Sequence, residues 1–249
     1  MSVIVESTAT NRSARPRRTP KAKPVSRETQ QLRNSLEPLQ DLFEHTELAS
    51  ILSRHFQSIL KSAQTPITRI VSLGLGSLRP APGQTRRLKQ LTILLAIRDE
   101  LSKISRKPIE IFAQDPAFTR ADETFLSSLG ISILRTTSGA HLGDAADALS
   151  SSTLVYSPFL TIEAYEQLLV HSTQSIPIIV GDDFNALAVK WPKHSAERRQ
   201  VEGVMKAGLS NYKRKLVSGV AFWEKEDEAF PMAVYEHVSK QDLRIRSKI

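Results

Sequence analysis

The chain has 249 residues, 40% of them hydrophobic and 24% charged, with a formal net charge of +8, and is long enough for one sizeable α/β core. It contains no cysteine, which excludes disulfides, thiolate nucleophiles and cysteine-bound zinc and fits an intracellular protein that needs no oxidative staples. No apolar run reaches the length of a membrane span, and the N-terminus lacks the apolar core of a secretory signal.

The charge is unevenly placed. Residues 1–27 carry Arg12, Arg15, Arg17, Arg18, Lys21, Lys23 and Arg27 against Glu6 alone, which is +6 of the +8 and leaves the rest nearly neutral. Rich in Pro, Ser and Thr and poor in large apolar side chains, this stretch is predicted to be a disordered basic tail. Pro16, Pro20 and Pro24 oppose an amphipathic transit helix. Residues 15–23 (RPRRTPKAK) read either as a nuclear localisation signal or as a basic tail of no specific role.

Residues 28–64 carry helical spacing and are predicted to form N-terminal helices packed on one side of the remaining domain. Leu32, Leu36, Leu39 and Phe43 recur at three- and four-residue intervals, with a kink or split expected at Pro38. A second set, Leu48, Ile51, Leu52, Phe56, Ile59 and Leu60, follows Thr46 as N-cap. His45 and His55 read as solvated or core-edge side chains.

Residues 65–240 read as a Rossmann-like α/β domain. Its opening stretch, residues 67–77 (ITRIVSLGLGS), is an apolar strand breaking into Gly74, Leu75, Gly76 and Ser77. Glycines there let the backbone bend sharply and a ligand approach the main chain. Thr85 is the expected cap of a buried helix over 86–105. A second strand, 109–113, closes at Gln114, Asp115 and Pro116. Thr119 and Asp122 have the form of a capping box for a helix ending near Gly130. Further strands follow at 131–134, 153–157 and 176–180, separated by a loop with a short helix (138–149) and a helix over 161–171. A helix over 195–207 precedes two alternating segments, 215–223 and 230–238, joined by an acidic turn at 224–228. The pattern predicts a mostly parallel sheet with helices on both faces and a C-terminal antiparallel strand pair.

In such sheets ligands bind beyond the carboxyl ends of the strands. That rule collects Gly74, Gly76 and Ser77 after the first strand, Asp115 after the second, Ser157 and Pro158 after the fourth, and Asp182 and Asp183 after the fifth. The glycines lack the third member of a dinucleotide fingerprint, because Arg79 stands in its place, so a ligand-free structural turn competes with a phosphate or nucleoside site. Asp115, before proline, is either a turn-former through its own side chain or an acceptor for a ribose hydroxyl. Adjacent Asp182 and Asp183 point oppositely on an extended backbone, so at most one faces the cleft. No metal set is predicted, and His141 near Asp144 and Asp147 reads as a solvated loop. Nucleophile-elbow, P-loop and His-Glu-x-x-His motifs are missing. The basic run Tyr212, Lys213, Arg214 and Lys215 reads as a solvated face.

In order and spacing, these motifs resemble the sensitivity-to-red-light-reduced (SRR1-like) family. The resemblance covers residues 67–184 and rests on VSLGLGS (71–77), Gln90 within its apolar helix, QDPAFTRADETFLSSLG (114–130), VYSPF (155–159) and IIVGDDF (178–184). Asp115, Pro116 and Phe118 match the family's Asp-Pro-x-Phe signature. Two departures stand out. Pro158 is followed by Phe159 and Leu160 where the family commonly has His and Cys, and Gly181 by Asp182 where it usually has Asn. The resemblance implies a Rossmann-like domain in a regulatory protein of cytoplasm and nucleus, linked in some members to circadian control, with no reaction attached.

The expectation is therefore a regulatory protein that is non-catalytic or weakly catalytic. Any ligand would be a nucleotide or nucleoside over Gly74, Gly76 and Ser77, with Asp115 holding a hydroxyl. No cofactor is assigned, and protein partners are expected without being identified. One alternative is an enzyme resembling S-adenosylmethionine-dependent methyltransferases, which share a glycine turn after the first strand, an acid after the second and a late antiparallel pair. The Gly76 to Asp115 spacing is long for them. The other is nucleic-acid association through the basic tail.

Overall fold

The computed structural model describes residues 26–62, 65–217, 222–224, 227 and 231–238. The expectations for the basic tail before residue 26 lie outside the described residues.

Seven strands form one sheet in the order β3-β2-β1-β4-β5-β7-β6. They are β1 (Arg69–Leu73), β2 (Glu110–Gln114), β3 (Ile131–Ile133), β4 (Thr153–Ser157), β5 (Ile178–Asp182), β6 (Tyr212–Val217) and β7 (Met232–His237). The first five run parallel, and β7 lies antiparallel between β5 and β6. Chain order runs from β1 outward through β2 to β3 on one side and through β4 to β5 on the other. The β1/β4 boundary is therefore where successive connections part, the place where such sheets leave a crevice. The architecture is the expected α/β one, with the C-terminal antiparallel pairing present.

The helices are α1 (Arg27–Glu44), α2 (Glu47–Ser62), α3 (Gln84–Ser105), α4 (Arg120–Ser128), α5 (Ala145–Ala148), α6 (Ile162–Glu166), α7 (Phe184–Lys190) and α8 (Ala196–Gly208), with a π-helical turn, Gln167–His171, continuing α6. Alternate strand residues serve two cores, as a period-two strand requires. Ile70, Ile111, Leu154, Tyr156 and Val180 face one side with α1 to α4. Val71, Leu73, Val155 and Ile179 face the other with α5 to α8. Helix α3 is apolar nearly all round because it is covered on both sides, by the sheet and by α1 and α2. The opening helices thus lie on the back of α3, away from the β1/β4 crevice.

Several local expectations shift. Helix α1 runs on through Pro38 without splitting: Leu32 and Leu36 before it and Phe43 after it are buried on one stripe, and that packing outweighs one lost backbone bond. The cap of α3 is Gly83, left-handed at φ 77°, and Thr85 lies inside the helix. Strand β5 extends through Gly181 and Asp182, and β6 begins at Tyr212, three residues before the expected start. The acidic stretch after β6 is not wholly solvated: Asp227 is buried against Lys89 of α3, with Asp227 Oδ2 2.6 Å from Lys89 Nζ.

Candidate functional site

The β1 strand ends where its carboxyl edge meets the crevice. Gly74 and Gly76 both take positive φ, 76° and 74°, a conformation that costs other residues about 1 kcal/mol or more. The turn they make is locked from β2. The Gly76 N–H donates to Asp115 Oδ2 at 2.8 Å, and the Ala117 N–H donates to Asp115 Oδ1 at 2.8 Å. Asp115 is thus the turn-former that its place before Pro116 suggests, and it reaches across to the glycine turn as well. Each carboxylate oxygen keeps a second lone pair for another donor.

Ser77 turns away from the crevice. Its Oγ donates to Asp122 Oδ2 at 2.8 Å, while the Leu78 N–H donates to Asp122 Oδ1 at 2.9 Å. Asp122 also accepts the Thr119 N–H and Oγ1–H, completing the expected capping box of α4. One buried carboxylate so ties the start of α4 to the end of the glycine turn.

On the β4 and β5 side the polar groups form a second, buried cluster. The Phe159 N–H donates to both carboxylate oxygens of Asp182, 3.1 Å from each. The Tyr165 hydroxyl lies 3.3 Å from Asp182 Oδ2, accepts the Asp182 N–H at 3.0 Å and also reaches the Ser157 carbonyl. Ser157 Oγ donates to the same hydroxyl at 3.4 Å. Burial pushes the Asp182 carboxyl up to about 7, opposed by the Phe159 amide and the Tyr165 hydroxyl, which favour its charged form. Burial and the Asp182 charge hold the Tyr165 phenol well above its usual range. Asp183 points elsewhere: it caps α7 through the Asn185 N–H and pairs with Arg214 through both oxygens, at 2.6 and 2.7 Å. The adjacent acids therefore serve opposite sides, as expected of an extended backbone.

Between the two clusters lies a crevice of about 130 Å³. Gly74 and Asp115 line it, whereas Gly76, Ser77, Ser157 and Asp182 are not part of its lining. Residues to which the sequence assigns no site role, His141 in its solvated loop among them, complete the lining. Gln114 fixes the loop after β3, its Nε2 donating to the Leu142 carbonyl at 2.6 Å and its Oε1 accepting the Ala145 N–H at 2.9 Å. That loop brings Thr136, Ser138 and His141 to the crevice. Phe159 and Leu160 form the opposite wall, and a Cβ built on Gly74 would stand 3.4 Å from Leu160 Cα. Phe159 takes φ 65°, rare for a residue with a side chain. The aromatic at this position is visible in the sequence, but its left-handed turn and its place over Gly74 arise from contacts with β5 that no local pattern encodes. Among the described residues, no group of three or more His, Asp or Glu side chains is arranged to hold a metal, and no helix is long and apolar enough to cross a membrane.

Comparison with known proteins gives a family and several remote likenesses. Among solved structures, the chain is similar to a Methanococcus jannaschii fibrillarin pre-rRNA processing protein (16% identity, 71% of this chain and 69% of that one, TM-score 0.39). It is also similar to a cofactor-bound protein from MTB (10%, 83% and 89%, TM-score 0.46) and to a SAM-dependent methyltransferase of Leishmania major (10%, 82% and 82%, TM-score 0.40). No curated protein matches at the sequence level. A family model, the SRR1 domain, matches residues 32–237, which spans α1 through β7. The chain belongs to the SRR1 domain family.

Proposed function

We propose that this protein is a non-catalytic or weakly catalytic regulatory member of the SRR1 domain family, whose β1/β4 crevice receives a nucleotide or nucleoside. The observation that carries this reading is the convergence of Gly74 and Asp115 on one crevice at the parting of the sheet's connections. The carboxylates nearby shape the main chain: Asp115 holds Gly76 and Ala117, Asp122 holds Leu78 and Thr119, and Asp182 holds Phe159. Groups committed in this way suit a binding site better than one that must move protons during turnover. The crevice is below the roughly 300–1,000 Å³ of common ligand pockets, so a nucleoside enters only if the Phe159 and Leu160 turn moves off Gly74. That motion is what a regulatory site needs, because a ligand favouring the open turn shifts the protein's conformational balance.

The second reading is a methyltransferase-like enzyme. It is favoured by the glycine turn after β1, Asp115 after β2 and the antiparallel β7. Calorimetric titration of the full chain with ATP, NAD and S-adenosylmethionine separates the two. The regulatory reading predicts binding of a nucleotide that is lost in Gly76→Val and Asp115→Ala. Tight S-adenosylmethionine binding, lost in both variants, would favour the enzyme. Binding unchanged in both variants would remove the crevice from either account.

A further inference from the structure

The first turn of α3 holds Arg86 and Arg87 and no acid. Two cations at the start of a helix oppose its local electrostatics, so their placement asks for a reason beyond helix formation. Arg87 lies across the glycine turn: a Cβ built on Gly76 would stand 2.7 Å from Arg87 Cδ, so glycine is what lets the arginine stem pass. Its Nη1 donates to the Pro82 carbonyl at 3.1 Å, but its Nε is shut off from solvent and has no partner among the described residues. A buried donor left unmade costs about 1–3 kcal/mol. The nearest acids, Asp122 and Asp115, favour its charged form through their charge alone, while the hydrogen bonds their oxygens accept come from Gly76, Ala117, Ser77, Leu78 and Thr119. The Arg87 guanidinium is drawn below its usual range by burial and by Arg86 beside it. Arg86 in turn lies 4.8 Å over the ring of Phe159, the crevice wall.

Guanidinium forks match the oxygens of phosphate in pairs. We propose that Arg87, with Arg86 beside it, forms an anion site at the mouth of the β1/β4 crevice that takes the phosphate or pyrophosphate group of a nucleotide. This rests on the crevice being a nucleotide site and narrows the ligand to its phosphorylated class. An anion that draws Arg86 also loosens its hold on Phe159, so the site sits where it can influence the turn that closes the crevice.

Calorimetry of the full chain with pyrophosphate, ADP and adenosine tests both statements separately, with wild type, Arg87→Gln and the exposed Arg79→Gln as control. Pyrophosphate and ADP bind, adenosine binds about tenfold or more weakly than ADP, and Arg87→Gln lowers ADP affinity about tenfold while leaving adenosine unchanged, as expected for one charged hydrogen-bonding group. Wild-type affinity for pyrophosphate also falls as sodium chloride rises, a readout that needs no variant. Equal affinities for ADP and adenosine, unaltered in Arg87→Gln, would overturn the anion site and leave the nucleotide crevice standing. Arg87-dependent pyrophosphate binding with no added affinity in ADP would keep the anion site and remove the nucleoside. Silence toward all three ligands would end both.

Discussion

Both carboxylate oxygens of Asp182 lie 3.1 Å from the amide nitrogen of Phe159. An acid at the end of β5 so holds a left-handed residue at the end of β4, and that residue with its neighbour Leu160 forms the wall over Gly74. Because the contact is buried, its charge state matters to the fold as well as to the crevice.

Asp182 makes stability depend on pH in a particular sense. Its carboxyl is raised to about 7 in the folded protein, against about 3.9 unfolded. The folded chain therefore holds an extra proton between those values. This group's contribution is complete below about pH 4 and is lost as the pH climbs to about 7, at no more than about 1.4 kcal/mol per unit. The Tyr165 and Tyr235 phenols, raised by burial, stay protonated throughout. Asp182→Asn removes the slope, so urea midpoints at about pH 4.5 and about pH 7.5 should show the variant gaining on wild type at the higher pH. Parallel profiles would contradict the assignment.

Gly181 tests the same cluster sterically. A Cβ there would stand 2.5 Å from Tyr165 Oη and 3.0 Å from Ser157 Oγ. Gly181→Ala is expected to destabilise by about 1–3 kcal/mol, the usual result of overfilling a packed interior. Gly203, inside α8 with nothing near its missing Cβ, should respond with the opposite sign, Gly203→Ala stabilising by about 0.5–1 kcal/mol. Thermal melts of the pair decide it, and equal shifts would refute the packing argument.

The buried Lys89 and Asp227 pair ties α3 to the connection between β6 and β7, with the Lys89 ammonium also 5.5 Å over the Phe222 ring. Removing one partner leaves an uncompensated buried charge, so Lys89→Met should cost about 3–5 kcal/mol. Lys89→Met with Asp227→Leu should cost much less than the sum of the two single changes. Additive losses in denaturant unfolding would show that the pair is not coupled.

How much of this was legible follows from the range of each signal. The glycine turn, the Thr119 and Asp122 box and the apolar β1, β4 and β5 strands are local patterns, and the structure forms each within two residues of the expected span. Strand β6 starts before the expected residue 215 because Lys213, Arg214 and Lys215 interrupt the alternation that marks a strand. Helix α7 leaves little trace in the sequence because its seven residues follow a cap, Asp183, that also reads as a turn. The role of Gln114 and the position of Leu160 over Gly74 depend on contacts between distant segments, which spacing along the chain does not carry.

Gln114 provides a test of that kind. Gln114→Ala takes one of two partners from both the Leu142 carbonyl and the Ala145 N–H, leaving only the 3.0 Å backbone bond between them. Amide exchange at Ala145 should speed by about two- to tenfold, as loss of one of its two hydrogen bonds, worth about 0.5–1.5 kcal/mol, requires, while β1 amides stay protected. Unchanged exchange at Ala145 would remove Gln114 from its anchoring role.

The most direct measurement is amide hydrogen exchange of the full chain with and without saturating ADP. A ligand seated between β1 and β4 predicts slowed exchange confined to residues 74–78, 115–118, 136–142 and 158–161. Protection concentrated instead in α2 and α3, or no change anywhere, would contradict the account.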